Sequence, residues 1–132
     1  MPCVIDTSAI VAVLLSEPER AALIRVTKGI ELVAPASVHW EIGNALSAAL
    51  KRRRLTLAQA QRALTAYAGI AIRFIEVDLA LSVELADEHE MYAYDAYLLT
   101  CAKQHRAQLL TLDAALSRAA NAIGIDLLAH TL

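Results

Sequence analysis

The sequence predicts an α/β fold in which a small parallel sheet is flanked by helices. Three observations predict it. Short β-branched runs alternate along the chain with longer segments of helical apolar period, the pattern of right-handed βαβ crossovers. Several strand-to-helix handovers carry an aspartate, a favoured residue at helix starts. With 132 residues the chain is one domain, residues 1–132, long enough to bury roughly two-thirds of its unfolded surface in one core.

Residues 3–5 form a β-branched run ending at Asp6, and residues 8–15 have helix-forming apolar content, so strand, turn and helix are expected there. Residues 17–27 form a second helix, opening on Glu-Pro-Glu with Pro18 near its first helical position and Gly29 closing it. Residues 31–34 are a strand, and Pro35 with Ser37 begins the next helix. Over residues 36–50, Val38, Ile42, Ala45, Leu46 and Ala49 share one helical face. Glu41 lies at its margin with Asn44 a further turn round, both placed to reach a cleft beside the core. Residues 51–54 break the pattern and 56–67 resume as a helix, making a helical hairpin. Residues 72–77 read as a strand and 78–90 as a helix. Helix 95–105, strand 108–112, helix 113–121 and a last strand at 124–128 complete the chain.

Hydrophobic residues make up 58% of the chain, yet its longest wholly apolar run, residues 9–15, is far short of the ~20 residues that span a bilayer. The N-terminus, MPCVID, lacks the basic start of a signal peptide, so a cytoplasmic location with no membrane association is expected. The same apolar excess on a short chain points to burial against another chain, a homodimer. Cys3 and Cys101 have no zinc-site spacing and read as small buried hydrophobes. A net charge of −2 excludes coating nucleic acid through bulk positive charge. Any such substrate must be held locally, and Lys51, Arg52, Arg53 and Arg54 form the one basic run able to contact a phosphate backbone. The plainer reading of that run is a solvated helix end.

Four acids carry the chemical interest: Asp6 in VIDTSAIV, Glu41 in HWEIGNAL, Asp95 in AYDAYLL and Asp113 in LLTLDAAL. In an α/β sheet, strand-to-helix handovers line the binding crevice. Carboxylates brought a few ångströms apart repel by up to about 4 kcal/mol per pair at an effective dielectric of about 20, so a convergent quartet calls for a cation. Hard divalent metals, Mg²⁺ or Mn²⁺, prefer such oxygen ligands together with substrate phosphate. Each aspartate also has a structural alternative as an N-cap, and Asp78 could be nominated on the same grounds. The histidines at 39, 89, 105 and 130 form no metal-binding pattern. Tyr92, Tyr94 and Tyr97 surround Asp95, where core packing is the expected use and base stacking the alternative.

The four motifs, DTS at residues 6–8, EIGNAL around Glu41, YDAYLLTCA around Asp95 and LLTLDAAL around Asp113, occur in order over nearly the whole chain. In this the chain resembles the PIN-domain ribonucleases, and most closely their VapC-type toxin branch. The resemblance implies a three-layer α/β/α sandwich with a small central parallel sheet. It implies metal-dependent endoribonuclease activity, with Asp6, Glu41, Asp95 and Asp113 as catalytic metal ligands for Mg²⁺ or Mn²⁺ and Asp78 left as a cap. Ser8, Asn44 and Thr111 match the family's supporting polar positions, which orient the carboxylates. Ala114 and Ala115 stand where many members carry polar or acidic residues, so one firmly held ion is expected, with another arriving with substrate. The VapC likeness implies a small VapB-like antitoxin as partner and RNA as substrate. Two alternatives stay open: an RNA-processing PIN nuclease with no toxic role, and a non-catalytic acidic α/β signalling module. Against the module, no second acid directly follows Asp6 and no acidic pair marks a strand end.

Overall fold

The computed structural model describes residues 1–129. The elements are β1 (Cys3–Ile5), α1 (Thr7–Leu14), α2 (Arg20–Thr27), β2 (Leu32–Pro35), α3 (Ser37–Lys51), α4 (Leu57–Ala68), β3 (Ile72–Ile75), α5 (Leu79–Glu88), α6 (Ala93–His105), β4 (Gln108–Leu110) and α7 (Ala114–Ala122). The four strands form one sheet in the order β3-β2-β1-β4, parallel throughout. Central β1 is buried along its whole length, as a strand covered by helices on both faces must be.

The strand order decides where the helices go. The chain steps from β1 to β2 to β3 in one direction and then returns across the sheet to β4. Right-handed crossovers therefore put α1 to α4 on one face and α5 and α6 on the other. Consistently, α1 packs against α2, α3 and α4, while α5 packs against α6, which lies on β1, β2 and β4. The reversal leaves a topological switch point between β1 and β4, where an open sheet forms its crevice.

Helix α3 shows how packing outweighs local preference. Ala36 precedes it with no side-chain cap, a deficit of about 1 kcal/mol. Val38, Ile42 and Leu46, one turn apart, are all buried, and each contributes about 1.5–3 kcal/mol. Helix α4 has both, with Thr56 and Gln59 forming a reciprocal capping box. On the other face, Ser82 Oγ donates to Thr100 Oγ1 at 2.9 Å, satisfying two buried hydroxyls where α5 meets α6.

Four local expectations are corrected. Helix α2 begins at Arg20 rather than at Pro18, because the chain leaves α1 through Ser16 at φ 54° and uses the Glu-Pro-Glu stretch as a turn, with Glu17 N donating to Ala12 O. Gly29, at φ 78°, does close it, in the left-handed conformation glycine adopts without strain. Residues 124–128 make an isolated parallel bridge, Leu109 to Leu127, rather than a strand. Helix α6 starts at Ala93, capped by Tyr92 without a side-chain bond, so Asp95 falls inside its first turn and is not a cap. Asp6, Asp78 and Asp113 are caps, accepting from Ala9 N, Leu81 N and Leu116 N. Cys3 and Cys101 are buried free thiols, as expected, and burial pushes each up to about 11. Tyr92 and Tyr94 are exposed, at 87% and 60%, so the expected core packing does not hold for them. Of the four histidines, His130 lies outside the described residues.

Candidate active site

The strand register assembles the centre. Ile5 pairs with Leu110, so the next residues, Asp6 and Thr111, emerge side by side at the C-terminal edge of the sheet. Asp6 is only 4% exposed, and its carboxylate is held from three sides. Oδ1 accepts from Ala9 N at 3.0 Å and Ser8 Oγ at 2.7 Å, and Oδ2 accepts from Thr111 Oγ1. Ser8 Oγ in turn accepts from Leu112 N at 3.0 Å, and Thr111 Oγ1 from Asp113 N at 3.0 Å. The β1–α1 and β4–α7 turns are thus stitched together by the two hydroxyls that the sequence suggested.

Glu41 reaches the same region from α3. Its Oε2 accepts from Thr7 Oγ1 at 2.8 Å, which ties the second turn of α3 to the first residue of α1. Sequence reading passed over Thr7, although its place between Asp6 and Ser8 was the available signal. Asp95 accepts no hydrogen bond among the described residues, so both its oxygens are free of structural duty. Asp113 uses Oδ1 to cap Leu116 N at 3.1 Å, leaving Oδ2.

The charges of the four acids act on one another in pairs. Burial pushes the Asp6 carboxyl above its ordinary range; the Thr111, Ala9 and Ser8 hydrogen bonds pull the other way, and the Asp113 charge adds to the rise. Glu41 is raised by burial and by the charges of Asp6 and Asp95, against the Thr7 hydrogen bond. Asp95 is raised by burial and then by Asp113. Among the described residues, no basic side chain acts on any of the three.

Among the described residues, no three acidic, His or Cys side chains already stand close enough to enclose a metal ion. The donor chemistry nevertheless fits a hard divalent cation. Among the described residues, carboxylate oxygens without a hydrogen bond remain on Asp95, Glu41 and Asp113 and no cation compensates them, and Mg²⁺ is ordinarily held by one or two carboxylates with water and substrate phosphate rather than by a closed protein cage.

The other expected residues are less closely involved. Asn44 is exposed and makes no side-chain hydrogen bond to the acids among the described residues. Lys51 to Arg54 are exposed at the far end of α3, roughly 15 Å along the helix from Glu41 at 1.5 Å per residue. They are no part of the acidic centre and can meet only a more distant stretch of an extended substrate.

Such a centre, at the switch point of a parallel sheet and built from acids on four separate segments, defines a class of α/β proteins with an acidic crevice. The profile of the PIN domain family matches residues 3–122, and the chain belongs to that family. Its fold is shared with the PAE2754 protein of Pyrobaculum aerophilum, at 23% identity and a TM-score of 0.70, over 90% of this chain and 87% of that one. VapBC2 of Rickettsia felis, solved bound to a DNA fragment from its promoter, is similar over 99% of this chain and 100% of that one, at 17% identity and a TM-score of 0.70. VapC20 of Mycobacterium tuberculosis, a toxin that cleaves the sarcin-ricin loop, is similar over 89% and 94%, at 18% identity and a TM-score of 0.63. A comparison with curated protein sequences finds no significant match.

Proposed function

We propose that this protein is a Mg²⁺- or Mn²⁺-dependent endoribonuclease and the toxin of a VapBC-like toxin–antitoxin pair. The observation that supports the reading is that Asp6, Glu41 and Asp95 are each raised by burial and by the charge of another of the four acids, with no basic side chain among the described residues acting on them. The likeness of the fold to VapC20 and VapBC2 supports RNA as substrate and an antitoxin as partner.

A bound divalent ion supplies Lewis acidity towards a phosphodiester and lowers the pKa of water. The chain's own work is to position it. Ser8 and Thr111 lock the Asp6 carboxylate, Thr7 fixes Glu41, and Asp95 and Asp113 offer the free oxygens. No side chain acts as a covalent nucleophile. The antitoxin covers the cleft with an amphipathic helix and places an Arg among the carboxylates, a guanidinium replacing the metal charge. The protein works in the cytoplasm as a homodimer. Among the described residues, no helix is long and apolar enough to cross a membrane.

The test is cleavage of a structured RNA with Mg²⁺ or Mn²⁺, then with excess EDTA, then with metal restored. Activity should vanish and return. Undiminished cleavage in EDTA refutes the metal role, and labelling by acetyl phosphate without any cleavage would favour the signalling module instead.

A further inference from the structure

Glu41 is the only glutamate among the four acids, and its extra methylene gives the carboxylate more ways to turn. One bond restrains it. Thr7 is the first residue of α1, directly after the Asp6 carboxylate that Ser8 and Thr111 hold. Its hydroxyl has a single proton to give, and gives it to Glu41 Oε2 at 2.8 Å. A threonine side chain is stiff about its first torsion, so Glu41 is registered against the locked Asp6 through one short link.

That link also decides how many oxygens Glu41 can present. With Oε2 engaged, Oε1 is the oxygen left without a donor among the described residues. Asp6 accepts on both of its oxygens and Asp113 accepts on Oδ1. Asp95 alone keeps both oxygens without a donor among the described residues. Carboxylates that offer single oxygens do not suit all hard cations equally. Ca²⁺ gathers about six to eight oxygens and readily takes both oxygens of one carboxylate, whereas Mg²⁺ demands a near-octahedral set and keeps several waters. Releasing Glu41 Oε2 would add an oxygen that suits Ca²⁺ and not Mg²⁺.

We infer that Thr7 is a positioning residue that holds Glu41 to one-oxygen coordination and so biases the centre towards Mg²⁺ and against Ca²⁺. The inference rests on the metal-dependent reading of the acidic centre and deepens it. Ion choice is then set by a hydroxyl that touches no ion, through the oxygen it withholds.

The test reads ion binding directly, with no RNA present. Mg²⁺ and Ca²⁺ are titrated separately into the metal-free, ¹⁵N-labelled full chain, and the amide shifts of Glu41 and Asp95 give both affinities. Thr7→Val keeps the shape of the side chain and removes its proton. The ratio of Mg²⁺ to Ca²⁺ affinity should fall about 10-fold in that variant, the lower end of what losing a supporting hydrogen bond does at a metal site. Thr7→Ser keeps the donor and should restore the wild-type ratio. An unchanged ratio in Thr7→Val overturns the proposal, as does an equal loss of both affinities, which marks plain support of Glu41. Failure of Thr7→Ser to restore the ratio overturns it too. A metal-free melting temperature more than about 5 °C below wild type in both variants makes Thr7 a structural residue, with the same consequence. If the wild type binds neither ion, the metal reading and this inference fall together. If the ions bind with the expected ratios and no RNA is cut, the nuclease reading falls and the role of Thr7 stands.

Discussion

Asp95→Asn separates metal binding from structural support better than any other change to the acidic centre. Asp6 and Asp113 are helix caps and Glu41 is bonded to Thr7, so altering them disturbs local structure too. Asp95 accepts no hydrogen bond among the described residues, and burial and the Asp113 charge raise its pKa. Two carboxylates ~6 Å apart repel by about 3 kcal/mol at an effective dielectric of about 20. Solvent screening at a partly buried residue cuts that to about 1 kcal/mol. Against this relief, Asp95 lies in the first turn of α6, where an anion gains about 0.3–1 kcal/mol from the helix dipole. The two effects nearly cancel. In EDTA, the melting temperature of Asp95→Asn should therefore lie within about 3 °C of wild type. With Mg²⁺ present, loss of an anionic ligand should weaken ion binding and reduce RNA cleavage by about 100-fold or more. Paired melts and cleavage rates measure both quantities on one preparation. Wild-type cleavage would refute the ligand role. A drop of more than about 5 °C in EDTA would show that Asp95 holds the fold instead.

The raised carboxyls of Asp6, Glu41 and Asp95 also set a pH dependence. Their folded pKa values exceed the ordinary 3.8 to 4.5, so the native state binds more protons than the unfolded chain in the window above that range. That stabilisation is lost as pH rises, and the metal-free protein should melt at a higher temperature at pH 5 than at pH 7. Saturating Mg²⁺ should invert the trend, since protons compete with the ion; a metal-free melting temperature that climbs from pH 5 to pH 7 contradicts this assignment. The homodimer is checked by sedimentation at micromolar concentration. Trp40, Leu57, Leu79 and Val83 are all more than half exposed, apolar area of the kind that marks interfaces. A single monomeric species with no partner present would count against it.

Sequence and tertiary structure divided the determination of this protein along a physical line. Strand and helix alternation, the caps at Asp6, Asp78 and Asp113, the closing Gly29 and the core face of α3 are local, written in side-chain period and in hydrogen bonds that reach three or four residues. These were legible in the sequence. The same local reading misplaced the start of α6, because a first turn packed onto the sheet needs no capping side chain, and it gave residues 124–128 more strand than the single bridge to β4 provides. It also put Tyr92 and Tyr94 in the core, since an aromatic near a helix start carries no mark of which side it faces. Only the tertiary structure decided the order β3-β2-β1-β4, because lateral pairing depends on contacts between residues far apart in the chain. From that order follow the switch point beside β1, the bond from Thr7 to Glu41 across 34 residues and the clasp of Thr111 on Asp6 across 105. The sequence named the charges, and the folding of distant segments onto one sheet edge set which of them feel one another.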